Sequence, residues 1–152
     1  DALPILLPRH TGHEQRSVKL LLKLCERWRV PVECKELAEV VAREHGNIHQ
    51  SQSFGAEALL RLLVRCDALR RPERFAQVLL ACECDARGRL GRENTPYPQR
   101  TRLQEVLQAA QTVNTADISE QAMAKGLKGA DIGKQIDAAR IAAIETALKK
   151  ID

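Results

Sequence analysis

Apolar positions recur along this chain at intervals of three and four, the spacing that lines one face of an α-helix. Val18, Leu21, Leu22 and Cys25 make the first stripe and predict a helix from about Glu14 to Trp28. Pro31 suits the first turn of a second helix, with Leu37, Val40 and Val41 pointing inward and Gly46 placed to end it. A third helix runs from about Ala56 to Cys66 through Leu59, Leu60, Leu62 and Leu63, and Asp67 interrupts its stripe. Arg71-Pro72 restarts the chain as a fourth, which carries Phe75, Val78, Leu79, Cys82 and Asp85 and stops near Gly88. The stretch 88–98, with Gly88, Gly91, Asn94, Pro96 and Pro98, is the clearest break. Beyond it Leu103, Val106, Leu107 and Ala110 mark a fifth helix, and Thr115 caps a short sixth. Gly126 and Gly129 precede a long seventh through Ile132, Ile136, Ala139, Ala143 and Ile144. No useful segment alternates with period two. The expected fold is all-α, a helical bundle over residues 1–92 followed by a smaller helical tail over 93–152.

Composition narrows the class. A chain of 152 residues is long enough to bury a real core. At 44% hydrophobic and 29% charged it is neither collagenous nor disordered. No window approaches the roughly 18 uncharged apolar residues of a membrane span. The start, Asp1-Ala2-Leu3-Pro4, has no basic segment before an apolar run, so no secretory signal is expected there. It also lacks an initiator Met, as a piece of a longer polypeptide would. Cys25, Cys34, Cys66, Cys82 and Cys84 form an odd set without CxxC spacing, all within apolar-periodic segments. They are expected to be buried, reduced thiols of a cytoplasmic protein.

Charge changes the picture more. Residues 1–59 are balanced, with 8 basic and 8 acidic side chains, whereas 60–102 hold 10 Arg against 5 acids. Residues 103–124 have 3 acids and no base, and 125–152 hold 6 bases against 4 acids. The excess in the middle block is all Arg, the side chain suited to bidentate phosphate contact. Such a block either binds a polyanion or forms a solvated face of ion pairs.

All four histidines, His10, His13, His45 and His49, lie in the first third of the chain. Their i,i+3 and i,i+4 pairs can share a helical face. Asp85 sits at the end of the apolar run Val78 to Cys82, where a carboxylate needs a partner. A divalent-metal site made of His and Asp would satisfy it and hold a water for attack on phosphorus. Against this, Gly46 and Asn47 are expected to break the helix between His45 and His49. Asp85 could instead pair with Arg87 or Arg89, or cap a turn.

Several motifs occur together in a fixed order: Arg9-His10-Thr11-Gly12-His13-Glu14, Arg29-Val30-Pro31, Val41-Ala42-Arg43-Glu44-His45, Asp67 through Arg74, Ala81-Cys82-Glu83-Cys84-Asp85-Ala86-Arg87-Gly88-Arg89 and Tyr97-Pro98-Gln99. With the ending Lys125-Gly126-Leu127-Lys128-Gly129 through Ile144, the whole chain resembles the C-terminal part of the bacterial multifunctional CCA-adding enzymes. These are tRNA nucleotidyltransferases that carry an HD phosphohydrolase domain. The resemblance implies that the nucleotidyltransferase head, the His-Asp dyad and an earlier His ligand precede Asp1. It implies His13, His45 and Asp85 at the metal centre, with Asp67 the weaker carboxylate candidate, and Glu14 as a catalytic residue. His49 is a further neighbour and His10 flanks the site. The cofactor implied is a divalent metal, Mg²⁺ or Ni²⁺, for hydrolysis of phosphomonoesters and 2′,3′-cyclic phosphates at RNA ends. The fragment alone is expected to bind metal weakly or not at all and to hydrolyse little. The implied partner is tRNA, contacted at its sugar-phosphate by Arg87, Arg89, Arg92, Lys125, Lys128, Lys134 and Arg140. The alternative is a non-catalytic helical RNA-binding or scaffold module using the same residues for packing and phosphate contact.

Overall fold

A computed structural model describes residues 12–151 of the chain. His10 and the motif residues before Gly12 lie outside the described residues. Among the described residues there are seven α-helices and no strand: α1 (His13–Trp28), α2 (Val32–Gln50), α3 (Ala56–Arg65), α4 (Pro72–Arg87), α5 (Pro98–Gln111), α6 (Thr115–Ala124) and α7 (Ala130–Ile151). A short 3₁₀ turn, Ser51–Ser53, follows α2. None of these helices is long and apolar enough to cross a membrane.

The ends of the helices follow local chemistry. α1 closes with Arg29 in the left-handed region at φ 50°, and the Val30 N–H reaches back to the Cys25 carbonyl at 3.0 Å. α3 closes the same way, with Asp67 at φ 54° and the Ala68 N–H on the Leu63 carbonyl at 2.9 Å. Pro72 and Pro98 open α4 and α5, where a missing N–H costs nothing. The cap of α6 is Asn114 rather than Thr115. Its side-chain oxygen accepts from Ala116 N and Asp117 N, and Thr115 becomes the first helical residue.

Gly46 does not end the second helix, which continues through it to Gln50. A glycine inside a helix costs roughly 1 kcal/mol relative to Ala, which packing on both sides readily offsets. Val40 and Ile48 are both buried, so the core holds α2 before and after this position.

One cluster forms the core. Leu59, Leu62 and Leu63 of α3, Phe75, Val78 and Leu79 of α4, Leu103 and Val106 of α5 and Ile144 of α7 are fully buried together with Ile48. This cluster draws on both sides of residue 93, so 88–98 is a connection lying over a shared core, not a division between two cores. α1 stands apart: it packs on α2 and buries only Cys25, while Leu20, Leu24 and Trp28 face outward. Cys25, Cys66 and Cys82 are buried as expected, but Cys34 and Cys84 are exposed, because their helices turn those positions away from the core.

Candidate functional site

The continuity of α2 brings His45 and His49 onto one face, with ring centroids 5.9 Å apart. α1 supplies His13 from its first turn, and His13 Nε2 lies 3.2 Å from His45 Nε2. The Val41 carbonyl, one turn back on α2, accepts from His45 Nδ1 at 3.1 Å. That bond leaves the Nε2 lone pair of His45 directed at His13. His13 Nδ1 in turn faces the Glu14 carboxylate at 3.5 Å. Gly46 is the close-approach point: a Cβ there would stand 3.2 Å from Glu14 Oε1.

His49 is held from two sides. Its Nδ1 lies 2.8 Å from the Tyr97 hydroxyl and its Nε2 3.0 Å from Asp85 Oδ2. Burial, and then the charges of Cys82, Asp85 and Glu83, push the Tyr97 hydroxyl above its ordinary range. Tyr97 therefore stays protonated and donates to Nδ1, which leaves the Nε2–H to donate to Asp85. Asp85 is 55% exposed and meets His49, not the His13–His45 pair. It pairs with neither Arg87 nor Arg89. The cluster thus runs Glu14, His13, His45, His49 and then Asp85 with Tyr97. Gln99 ties it to α5 by donating to the His49 carbonyl at 2.9 Å.

The donor chemistry fits a cation in part. In metal sites an imidazole commonly donates its second N–H to a carbonyl or carboxylate, as both rings of the His13–His45 pair are placed to do. A 3.2 Å gap between two Nε2 atoms lets both bond one ion at the about 2.0–2.1 Å usual for imidazole. Among the described residues, however, no group of three or more His, Cys, Asp or Glu could hold a metal ion. Asp67 is elsewhere, its carboxylate engaged with Arg70 at 2.8 Å and with Arg71 and Arg74.

The arginine block is mostly an intramolecular network. Arg65 contacts both oxygens of the buried Glu44, at 3.2 and 3.1 Å. Arg71 and Arg74 share Glu36, and Arg100 pairs with Glu83 at 2.7 Å. Arg87 pairs with Glu83 at 2.9 Å and donates from Nε to the Thr95 carbonyl at 3.1 Å. Arg89 and Arg92 are exposed and make no ion pair among the described residues. Lys125 and Lys128 are exposed at the turn between α6 and α7, and Lys134 pairs with Asp131 at 3.3 Å. Arg140 is half-buried on α7 with its Nε unpartnered.

Tyr97, Gln99, Glu44 and Glu83 were not expected from the sequence as parts of the site. Tyr97 and Gln99 did fall in a motif, Tyr97-Pro98-Gln99, but their contacts to His49 span 48 and 50 residues of chain.

Proteins named multifunctional CCA protein are similar to this chain over nine-tenths of its length. That of Paracidovorax citrulli is 64% identical over 140 residues, 92% of this chain and 33% of the relative. That of Polaromonas naphthalenivorans is 61% identical over 139 residues, 91% of this chain and 33% of the relative. That of Cupriavidus pinatubonensis is 53% identical over 146 residues, 96% of this chain and 34% of the relative. The chain spans about a third of the length of the curated relatives it matches. No family model matches the chain, and no solved structure matches it. The resemblance read from the ordered motifs is thereby shown.

Proposed function

We propose that this chain is part of a tRNA CCA-adding and repair nucleotidyltransferase, carrying a portion of a metal-dependent phosphohydrolase site and helices that bind tRNA. The single observation that carries the phosphohydrolase reading is the apposition of His13 and His45, 32 residues apart in sequence, with their Nε2 atoms 3.2 Å from each other. A bound divalent ion, Mg²⁺ or Ni²⁺, would polarise a phosphoryl oxygen and lower the pKa of its water. His13 and His45 would hold that ion, with further ligands from the part of the relatives' length that this chain does not span. Asp85, hydrogen-bonded to His49 and apart from the His13–His45 pair, acts on the site by holding His49, and Glu14, beside His13, serves in acid–base work. The substrates are phosphomonoesters and 2′,3′-cyclic phosphates at RNA ends. Lys125, Lys128 and Arg140, with Arg87, Arg89 and Arg92, contact the tRNA sugar-phosphate without reading sequence.

A second reading, a non-catalytic helical scaffold module, is favoured by one observation: most of the arginine block is neutralised within the chain and so is spent on ion pairs and not on phosphate. The discriminating experiment uses the full-length protein and 2′,3′-cyclic AMP with Ni²⁺. His45→Ala is expected to lower hydrolysis by roughly 100-fold, the scale on which loss of metal-site residues acts. CCA addition, followed on the same preparation, is expected to persist. Hydrolysis that is absent from the unaltered protein, or indifferent to His45→Ala, selects the second reading.

A further inference from the structure

Three contacts from outside α2 converge on His49. The Tyr97 hydroxyl stands 2.8 Å from its Nδ1, Asp85 Oδ2 stands 3.0 Å from its Nε2, and Gln99 donates to its main-chain carbonyl at 2.9 Å. We propose that Tyr97 is a positioning residue of the histidine site: with Asp85 it locks His49, and the locked ring braces His45 instead of ligating an ion. The inference rests on the phosphohydrolase reading and carries that site across the 88–98 connection to the start of α5.

Both ring nitrogens of His49 are engaged. The Tyr97 hydroxyl keeps its proton and donates it to Nδ1, so Nε2 carries the ring proton that Asp85 accepts. A metal-bound imidazole gives the lone pair of one nitrogen to the ion and the N–H of the other to a partner. His45 keeps that division, with Nδ1 donating to the Val41 carbonyl and Nε2 directed at His13. His49 does not, because a hydroxyl already takes its one lone pair.

Ring packing supplies the brace. His49 meets His45 edge to face, with centroids 5.9 Å apart and an interplanar angle of 84°, within the favourable range for aromatic pairs. Tyr97 meets His49 in the same way, at 5.8 Å and 84°. His45 in turn meets His13 at 5.2 Å, so a line of four rings runs from the start of α5 to the start of α1. Tyr97 is a firm end for that line. It is 9% exposed and belongs to the core cluster, and Pro98 keeps its backbone, at φ −125° and ψ 75°, out of the helical region. The bond to Val41 fixes only Nδ1 of His45, and the His49 ring limits how far the imidazole turns about it.

The test is a double-mutant cycle in the full-length protein, reading hydrolysis of 2′,3′-cyclic AMP with Ni²⁺, joined to nitrogen NMR of the metal-free protein labelled at histidine. Tyr97→Phe removes one oxygen and keeps the ring. It is expected to lower kcat by about tenfold, the scale on which outer partners of a metal ligand act. His49→Ala should cost a similar factor, well short of the roughly 100-fold expected of His45→Ala. The two changes together should cost no more than His49→Ala alone, because they break one arrangement. In the NMR spectrum, His49, identified by its loss in His49→Ala, is expected as a neutral ring protonated at Nε2. Tyr97→Phe should shift its Nδ1 resonance. A proton on Nδ1 in the unaltered protein, an Nδ1 resonance indifferent to Tyr97→Phe, additive losses in the cycle, or His49→Ala as damaging as His45→Ala overturns the proposal. Hydrolysis that needs His45 but not Tyr97 sinks the brace alone, whereas an unaltered protein that hydrolyses nothing sinks the phosphohydrolase reading and the brace with it.

Discussion

α1 and α3 are both rich in leucine, yet they pack very differently. α3 buries Leu59, Leu60, Leu62 and Leu63 within ten residues, whereas α1 buries only Cys25 in sixteen. The difference teaches where the candidate site is firm. His45 and His49 ride on α2, which is anchored by Val40 and Ile48 in the common core. His13 rides on α1, whose outward face carries Leu20 at 68%, Leu24 at 41% and Trp28 at 67% exposure. One imidazole of the pair is therefore set by the core and the other by the docking of a single helix.

The contrast can be broken by mutation. Leu63→Ala on α3 is expected to cost about 3–5 kcal/mol in denaturant unfolding, since a fully buried leucine leaves a cavity. A cost below about 1 kcal/mol would mean that α3 is not the hub.

Thiol labelling sharpens the same contrast at a smaller scale. Cys25 on α1 and Cys66 after α3 are both buried. Burial, with Glu44 adding to it, pushes the Cys66 thiol up to about 12, so it stays protonated at pH 8. Burial does the same to Cys82, also to about 12. With a disulfide reagent at pH 8, exposed Cys34 and Cys84 should react at once. Cys25 should follow as α1 opens, at least about tenfold faster than Cys66 or Cys82, because weakly packed elements open at lower free energy. Equal protection of the three would show that α1 opens only with the whole fold.

The smallest expected effect is on the outward face. Trp28→Ala should change stability by no more than about 0.5 kcal/mol, as surface substitutions do. A loss of 2 kcal/mol by thermal or denaturant melting would show that this face is covered in solution.

The helical repeat was legible because each stripe is local: Leu59 to Leu63 or Phe75 to Cys82 read the same in isolation as in the fold. Gly46 misled because intrinsic propensity is local too, while the reason α2 continues is tertiary, with α1 approaching on one side and the core on the other. The same error hid the shared face of His45 and His49. Asn114 and Thr115 are both good caps, and only the bonds to Ala116 and Asp117 decide between them. The arginine excess was visible as a count, but its neutralisation depends on acids far along the chain, such as Glu36 for Arg71 and Glu44 for Arg65. Asp85 was expected on an apolar run where a carboxylate needs a partner, but its side chain is 55% exposed, so water satisfies it and the contact it makes is not forced by burial. That the partner is His49, with Tyr97 completing the arrangement, follows from how α4 crosses α2 and from the path of the 88–98 connection.

The close approach at Gly46 ties backbone volume to electrostatics. A single added carbon on α2 would act as a wedge against the Glu14 carboxylate, the group that faces the far nitrogen of His13. A steric change on one helix would thus displace a charged group on another, so a residue with no side chain of its own helps set where the carboxylate beside His13 can stand.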